Sequence, residues 1–172
     1  MDKARVEIKG TAAMLMNRFA PNTDNGGKKK EAFFDPEEDA QKALYKDEKI
    51  GCYVPSSWIE ASMREAAKGF KKRGRGSLKD TILSSVFVDE EKIPLGKKTW
   101  DELDQRPAVI QRQRIFKTRP KFNDWKLSFT ITFDGGRINK ETLKSILIEA
   151  GQIKGIGDYR PKFGRFEVVK FG

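Results

Sequence analysis

"WKLSFTITFDGGRINKETLKSILIEAG", residues 125–151, decides the fold class. From Lys126 to Phe133, polar and apolar residues alternate. Leu127, Phe129, Ile131 and Phe133 fall on one side, with Lys126, Ser128, Thr130 and Thr132 opposite, the period of a half-buried strand. "DGG" then turns the chain. Asn139 is a helix cap, Leu143, Ile146, Leu147 and Ala150 recur at helical spacing, and Gly151 supplies a stop. The alternation resumes in "RFEVVKF" (165–171), giving strand, helix, strand. The register of that last strand is open: either Phe166 and Val168, with the stem of Lys170, face inward, or the opposite set does.

Working toward the N-terminus, "KARVEIKG" (3–10) sets Ala4, Val6 and Ile8 against Arg5, Glu7 and Lys9, another half-buried strand. "SSWIEASMREAAKGFKKRG" carries Ser57 and Glu60 at capping-box spacing and an apolar stripe of Ile59, Met63, Ala66, Ala67 and Phe70. It is read as a helix fraying into Lys71, Lys72 and Arg73. "KIGCYVP" is a short strand and "DPEEDAQKALY" a short helix. "SSVFV" (84–88) reads equally as helix or strand, "DEE" (89–91) as a turn, and "TAAMLMNRF" as an apolar segment of open type. "PAVIQRQRIFKTRP" (107–120) reads as one strand with Arg112 and Arg114 on one face, ended by Pro120. Residues 20–36, with Asn-Gly turn chemistry and a lysine run, form a flexible loop insertion. Setting insertions aside, the expectation is a single α+β domain over residues 1–172. Its arrangement is ferredoxin-like (RRM-like) βαββαβ, an antiparallel sheet with two main helices on one face.

The chain has 35 Lys and Arg against 25 Asp and Glu, a net charge of +10. Such a field favours polyanionic partners, although it also serves solubility. There is no histidine, which excludes His-ligated metals and imidazole-based general-base or dyad chemistry. The single cysteine, Cys52, cannot bridge within the chain and reads as a buried strand residue. No apolar run reaches a membrane span, so a cytoplasmic protein without membrane contact is expected. The acid clusters Asp89–Glu91 and Asp101, Glu102, Asp104 match no metal-loop spacing, and neither metal nor cofactor is expected.

Two stretches, 70–79 and 111–122, hold ten basic residues and no acid. The first offers Lys71, Lys72, Arg73 and Arg75. The second offers Arg112, Arg114 and Arg119, with Lys117, Lys121, Phe116 and Phe122 between and beyond, a composition suited to single strands or to a guarded edge strand. A third candidate is "GIGDYRPKFGRF" (155–166). There Gly155, Gly157 and Gly164 permit positive φ and close backbone approach, and their amides are expected to cradle a phosphate. Arg160, Lys162 and Arg165 add charge, and Tyr159 and Phe163 offer rings to bases. A plain glycine-rich connection is the alternative. The order helix, loop, strand is the reverse of the dinucleotide-binding context.

"YVPSSWIEASMREA" (53–66), "GIGDYRPKFGRFEV" (155–168) and "ARVEIKGTAAMLMNRF" (4–19) together resemble motifs of the RAMP superfamily of CRISPR-associated proteins. The resemblance spans about a third of the chain. It implies RRM-like domains that bind single-stranded RNA and, in backbone subunits, self-associate along it. It would set Ser56, Ser57 and Arg64 near the phosphate chain beside the glycine loop, and make 20–36 a family insertion touching a neighbour. Three departures stand out: "DYRPKFG" is poorer in glycine than the family loop, the chain is small for a backbone subunit, and the histidine of many processing nucleases is absent. They leave room for a phage or mobile-element relative. The expectation is therefore a non-catalytic protein that binds single-stranded RNA or DNA and forms a homo-oligomer. The alternatives are a metal-independent endoribonuclease and a phage assembly protein with a basic surface.

Overall fold

The computed structural model describes residues 1–19, 35–72, 74, 76–110 and 112–172. Arg73, Arg75 and nearly all of the expected 20–36 insertion lie outside them. The alternating segments build the main sheet. Strand β1 (Asp2–Gly10) pairs antiparallel with β9 (Lys126–Phe133), from Asp2 opposite Phe133 to Lys9 opposite Lys126. The free side of β1 takes β10 (Phe166–Phe171), and that of β9 takes β5 (Val86–Val88), giving the order β10-β1-β9-β5 with every pairing antiparallel. Helices α2 (Ser56–Ala66) and α4 (Lys140–Glu149) pack into a common core, where Ile59, Met63, Leu143, Ile146 and Leu147 meet Val6, Ile8, Phe129 and Ile131. Asn139 caps α4 as read, its side-chain oxygen accepting from the Thr142 amide at 2.8 Å. Antiparallel sheets with four α-helices among the described residues are consistent with a ferredoxin-like fold.

The last strand resolves its register through a bulge. Val168 sits opposite Ile8 but Lys170 opposite Glu7, so Val169 is an extra residue left exposed. Phe166, Val168 and Phe171 therefore pack on the core, and Lys170 turns outward. Strict period-two reasoning misses this because the bulge shifts the phase by one residue.

Several expectations are corrected. The ambiguous "SSVFV" is both elements in turn: α3 (Lys79–Ser85) runs directly into β5. The Ser57/Glu60 capping box does not form. Pro55 is the residue that precedes α2, no side chain caps the helix, and Glu60 accepts instead from the Val88 amide at 3.0 Å, fixing the end of β5 to α2. The helix stops at Ala66 with one tight turn to Gly69 rather than fraying to residue 73.

The largest correction concerns residues 107–120. They are not one strand of the main sheet but most of a hairpin, β7 (Glu102–Ile110) and β8 (Gln113–Phe122), with Arg112 at φ 66° just before β8. Both arms share one alternation, and the turn lacks glycine, so nothing local marks the reversal. Pro120 does not end β8. It lies opposite Leu103, and its carbonyl accepts from the Met16 amide at 3.1 Å. β2 (Met14–Leu15) pairs with β8 to make a second sheet, β2-β8-β7. Further along the same edge, α1 (Pro36–Ala43) supplies Asp39, which accepts from the Thr118 amide at 2.8 Å. The edge of β8 is thus covered from Thr118 to Phe122 rather than left open for pairing. A third sheet joins β3 (Lys46–Asp47), β4 (Gly51–Pro55) and β6 (Lys92–Pro94).

Cys52 lies on β4 at 0% exposure, and burial pushes its thiol pKa up, disfavouring the reactive thiolate. Iodoacetamide is expected to label the native chain about 100-fold more slowly than the chain in denaturant. Comparable native labelling, followed by mass spectrometry, would show that β4 is not a core strand.

Candidate nucleic-acid interface

The glycine loop is a packed element. After α4 the chain makes a widened turn, Ala150–Lys154, and Gly155 follows at φ 70° with its amide bonded to the Ala150 carbonyl at 2.8 Å. The Ile156 amide donates to the Gly164 carbonyl at 2.9 Å, closing the loop on itself. The Asp158 amide donates to Leu15 at 2.9 Å and that of Gly164 to Ala13 at 2.7 Å, fastening the loop along β2. The expectation of an amide cradle for phosphate is therefore corrected at Gly155 and Gly164. The amides of Gly155 and Gly164 are already used, and Gly155 and Gly164 are buried. The lack of Cβ lets main chain pass main chain: at Gly157 a Cβ would meet the Leu15 carbonyl oxygen at 2.5 Å, and at Gly164 it would overlap that of Ile156.

This docking leaves Arg160, Lys162 and Arg165 exposed on the loop. Tyr159 is 48% exposed and adopts φ 59°, a costly backbone state for a residue with a side chain. Phe163, expected to stack on bases, is 9% exposed; it lies edge-to-face against Tyr159, ring centres 6.1 Å apart, and supports that ring. Arg119, expected on an exposed basic face, is 8% exposed and pairs through Nε with the Asp158 carboxylate. Its Nη1 is buried without an acceptor, an arrangement that costs about 1–3 kcal/mol for each such group.

β8 divides the second basic patch. Arg112 is exposed in the hairpin turn, and Arg114 is exposed across from Val109, on the face that also carries Phe116. Lys117, Arg119 and Lys121 take the other face, where Lys117 pairs with Asp39 at 3.3 Å and Lys121 with Glu102 at 3.0 Å. The start of α2 borders the loop, since Trp58 comes within reach of Gly157. Ser57 is exposed there, Ser56 half-buried with its amide bonded to Glu91, and Arg64 half-buried two turns further on. Lys71 and Lys72 stand beyond the other end of α2, about 16 Å of helix away. There Lys72 lines a separate cleft of about 540 Å³ with Asp80, Ser84 and Arg137. That patch is not continuous with the loop.

Sequence reasoning missed Arg106. Its guanidinium carbon lies 5.0 Å from the Tyr159 ring centre and 4.9 Å from that of Phe163. Its Nε donates to Asp104 at 2.8 Å, and that hydrogen bond holds its pKa above the usual value. It sits outside the basic stretches, and only the β7–β8 pairing carries it to the loop, so no local signal marks it.

The sheet face turned away from the helices carries paired charges beside the exposed side chains of Phe87 and Val169. Asp89 joins Lys3 at 2.8 Å and accepts from Thr132 at 2.6 Å, which together lower its pKa. Glu90 accepts from the Thr130 amide at 2.8 Å. Asp101 and Glu102 are likewise engaged by Lys97 and Lys121. Among the described residues no group of three or more acids and Cys could hold a metal. None of their helices is long and apolar enough to cross a membrane.

No family model matches this chain, and no curated protein does. Among solved structures it is similar to a chain in "Cryo-EM structure of the Type III-B Cmr-beta bound to cognate target RNA", with TM-score 0.53 and 13% identity over 99% of this chain and 59% of that one. The present chain thus spans about three-fifths of that chain's length. At this identity the likeness is one of fold.

Proposed function

We propose that this chain is a non-catalytic, RAMP-type subunit that binds single-stranded RNA and self-associates along it. Its core is read as a ferredoxin-like βαββαβ unit of β1, α2, β5, β9, α4 and β10, with the β2-β8-β7 sheet added at one side. The strand order β10-β1-β9-β5 and the two helices packed on one face support that reading. The observation that carries the function is the docked loop: Arg160, Lys162 and Arg165 are exposed together with Tyr159 beside a hairpin bearing exposed Arg112 and Arg114. Cations on a rigid support next to an accessible ring suit a single strand, with backbone charge giving affinity and stacking tolerating any base. The outer sheet face, tied up in Lys3–Asp89 and Arg5–Glu90 pairs, is a poor alternative platform. The likeness to a chain of an RNA-bound particle favours RNA over DNA.

A mobility-shift panel of single- and double-stranded RNA and DNA tests this, with products sized on a denaturing gel. Single-stranded RNA is expected to bind tightest and stay intact, with complex mass rising in steps as the strand lengthens. Substituting Arg160, Lys162 and Arg165 together by alanine should reduce the log–log salt slope by about 2, from about 0.7 per contact. An unchanged slope removes the loop from the interface. Discrete RNA fragments formed in chelator would establish an endoribonuclease instead.

A further inference from the structure

We infer that Arg106 and Tyr159 form a nucleobase seat that contributes stacking without phosphate charge, because Asp104 and Asp158 already neutralise the guanidiniums around it. The inference rests on the RNA-binding reading and separates two kinds of contact within it.

The seat is assembled from distant segments. Tyr159 lies on the closing loop, held between the Asp158 amide bonded to Leu15 and its own carbonyl, which accepts from Phe163 at 3.2 Å. Arg106 comes from β7 and Arg119 from β8, with guanidinium carbons 5.0 and 5.8 Å from the Tyr159 ring centre. Phe163 braces the ring from within, leaving Tyr159 48% exposed. A ring fixed in this way loses little freedom when a base stacks on it, and an adjacent guanidinium is itself a planar stacking partner.

Charge then decides what the seat takes. Arg106 is paired with Asp104 at 2.8 Å, and Arg119 with Asp158. Two guanidiniums and two carboxylates sum to zero, so a phosphate placed here would meet two fixed anions. A nucleobase meets only a π-face and a planar cation. Cations already paired inside the protein hold no counterions that RNA could displace, so this seat should add nothing to the salt dependence of binding. The Arg160 side of the loop, which has no ion pair among the described residues, should in contrast carry it.

The test is binding of an oligouridylate of about 12 nucleotides, followed by anisotropy across a salt series. It is paired with photocrosslinking of the same strand substituted with 4-thiouridine. Tyr159→Ala is expected to weaken binding about 10-fold at every salt concentration with an unchanged slope. Tyr159→Leu, which keeps the bulk over Phe163, should do the same, guarding against a folding defect. Arg106→Lys, retaining charge but not the plane, should lose part of the affinity, and Tyr159→Phe should bind as the parent does. Crosslinks should map to Tyr159. A slope reduced by about 0.7 in Arg106→Gln, which removes the charge, would identify a phosphate contact and overturn the neutral seat. So would RNA retained with parental affinity by Tyr159→Ala and Tyr159→Leu alike, or crosslinked only elsewhere, and in those cases the RNA-binding reading would stand. Failure of the parent to bind any strand would overturn both.

Discussion

Gly164→Ala is expected to be the most damaging single substitution in the closing loop, lowering stability by about 4 kcal/mol. The position is locked three times over. Its φ of 78° strains any residue with a Cβ, costing about 1–2 kcal/mol. Its amide and carbonyl bond Ala13 and Ile156, at 2.7 and 2.9 Å, each worth about 1 kcal/mol. The added methyl would also coincide with the Ile156 carbonyl, which is backbone and cannot swing aside. A domain of this size has about 5–15 kcal/mol in total, so the variant should show a urea midpoint far below that of the parent. Gly69→Ala is the internal control: open space surrounds it, and it should be neutral or stabilising by up to about 1 kcal/mol. RNA affinity should fall with the loop, because Arg165 adjoins Gly164 and Arg160 and Lys162 lie on the same closed turn. Equal midpoints for the two variants would show that the loop is not bound to β2 in solution.

That expectation reverses the reason for the glycines, and the reversal shows what a sequence can carry. The strand Lys126–Phe133, the capped helix after it and the apolar stripe of α2 were legible because each is a local period that one buried face imposes. The loop was legible as glycine-rich and cationic. What the glycines face was not, since the crowding carbonyls belong to Leu15 and Ile156, and Leu15 is more than a hundred residues away in the chain. The hairpin failed for a related reason: the pairing of Arg106 with Lys117 and of Asp104 with Arg119 is a tertiary fact without a turn signature. Arg119 illustrates the cost. Counted among neighbouring cations it reads as a phosphate ligand, yet β8 parity and the docking of Asp158 make it a buried structural cation. The last strand failed through a single bulge, which a period-two reading cannot represent.

Arg119 also sets the second large effect. Asp158→Asn removes the only carboxylate that an ion pair gives this guanidinium among the described residues, leaving a buried charge uncompensated. Breaking a fully buried pair costs about 3–5 kcal/mol. Here the Asp158 side chain is 32% exposed, and Asp104 sits directly across the hairpin, so about 2 kcal/mol is expected. Replacing both partners, as Arg119→Met with Asp158→Leu, removes the charge together with its need for a partner. That double variant should recover most of the loss, as buried ion pairs replaced by apolar groups commonly do. Denaturant midpoints of the parent, Arg119→Met, Asp158→Leu and the double variant give the coupling energy directly. The double variant carries a functional consequence as well. Stability would return, but the charged tie that holds the Tyr159 loop against β8 would be gone, so RNA affinity should stay below that of the parent while the salt slope is preserved. If Asp158→Asn were as stable as the parent, the pair would contribute nothing to the docking of loop on hairpin, which would then rest on the backbone bonds of Asp158 and Gly164 to Leu15 and Ala13.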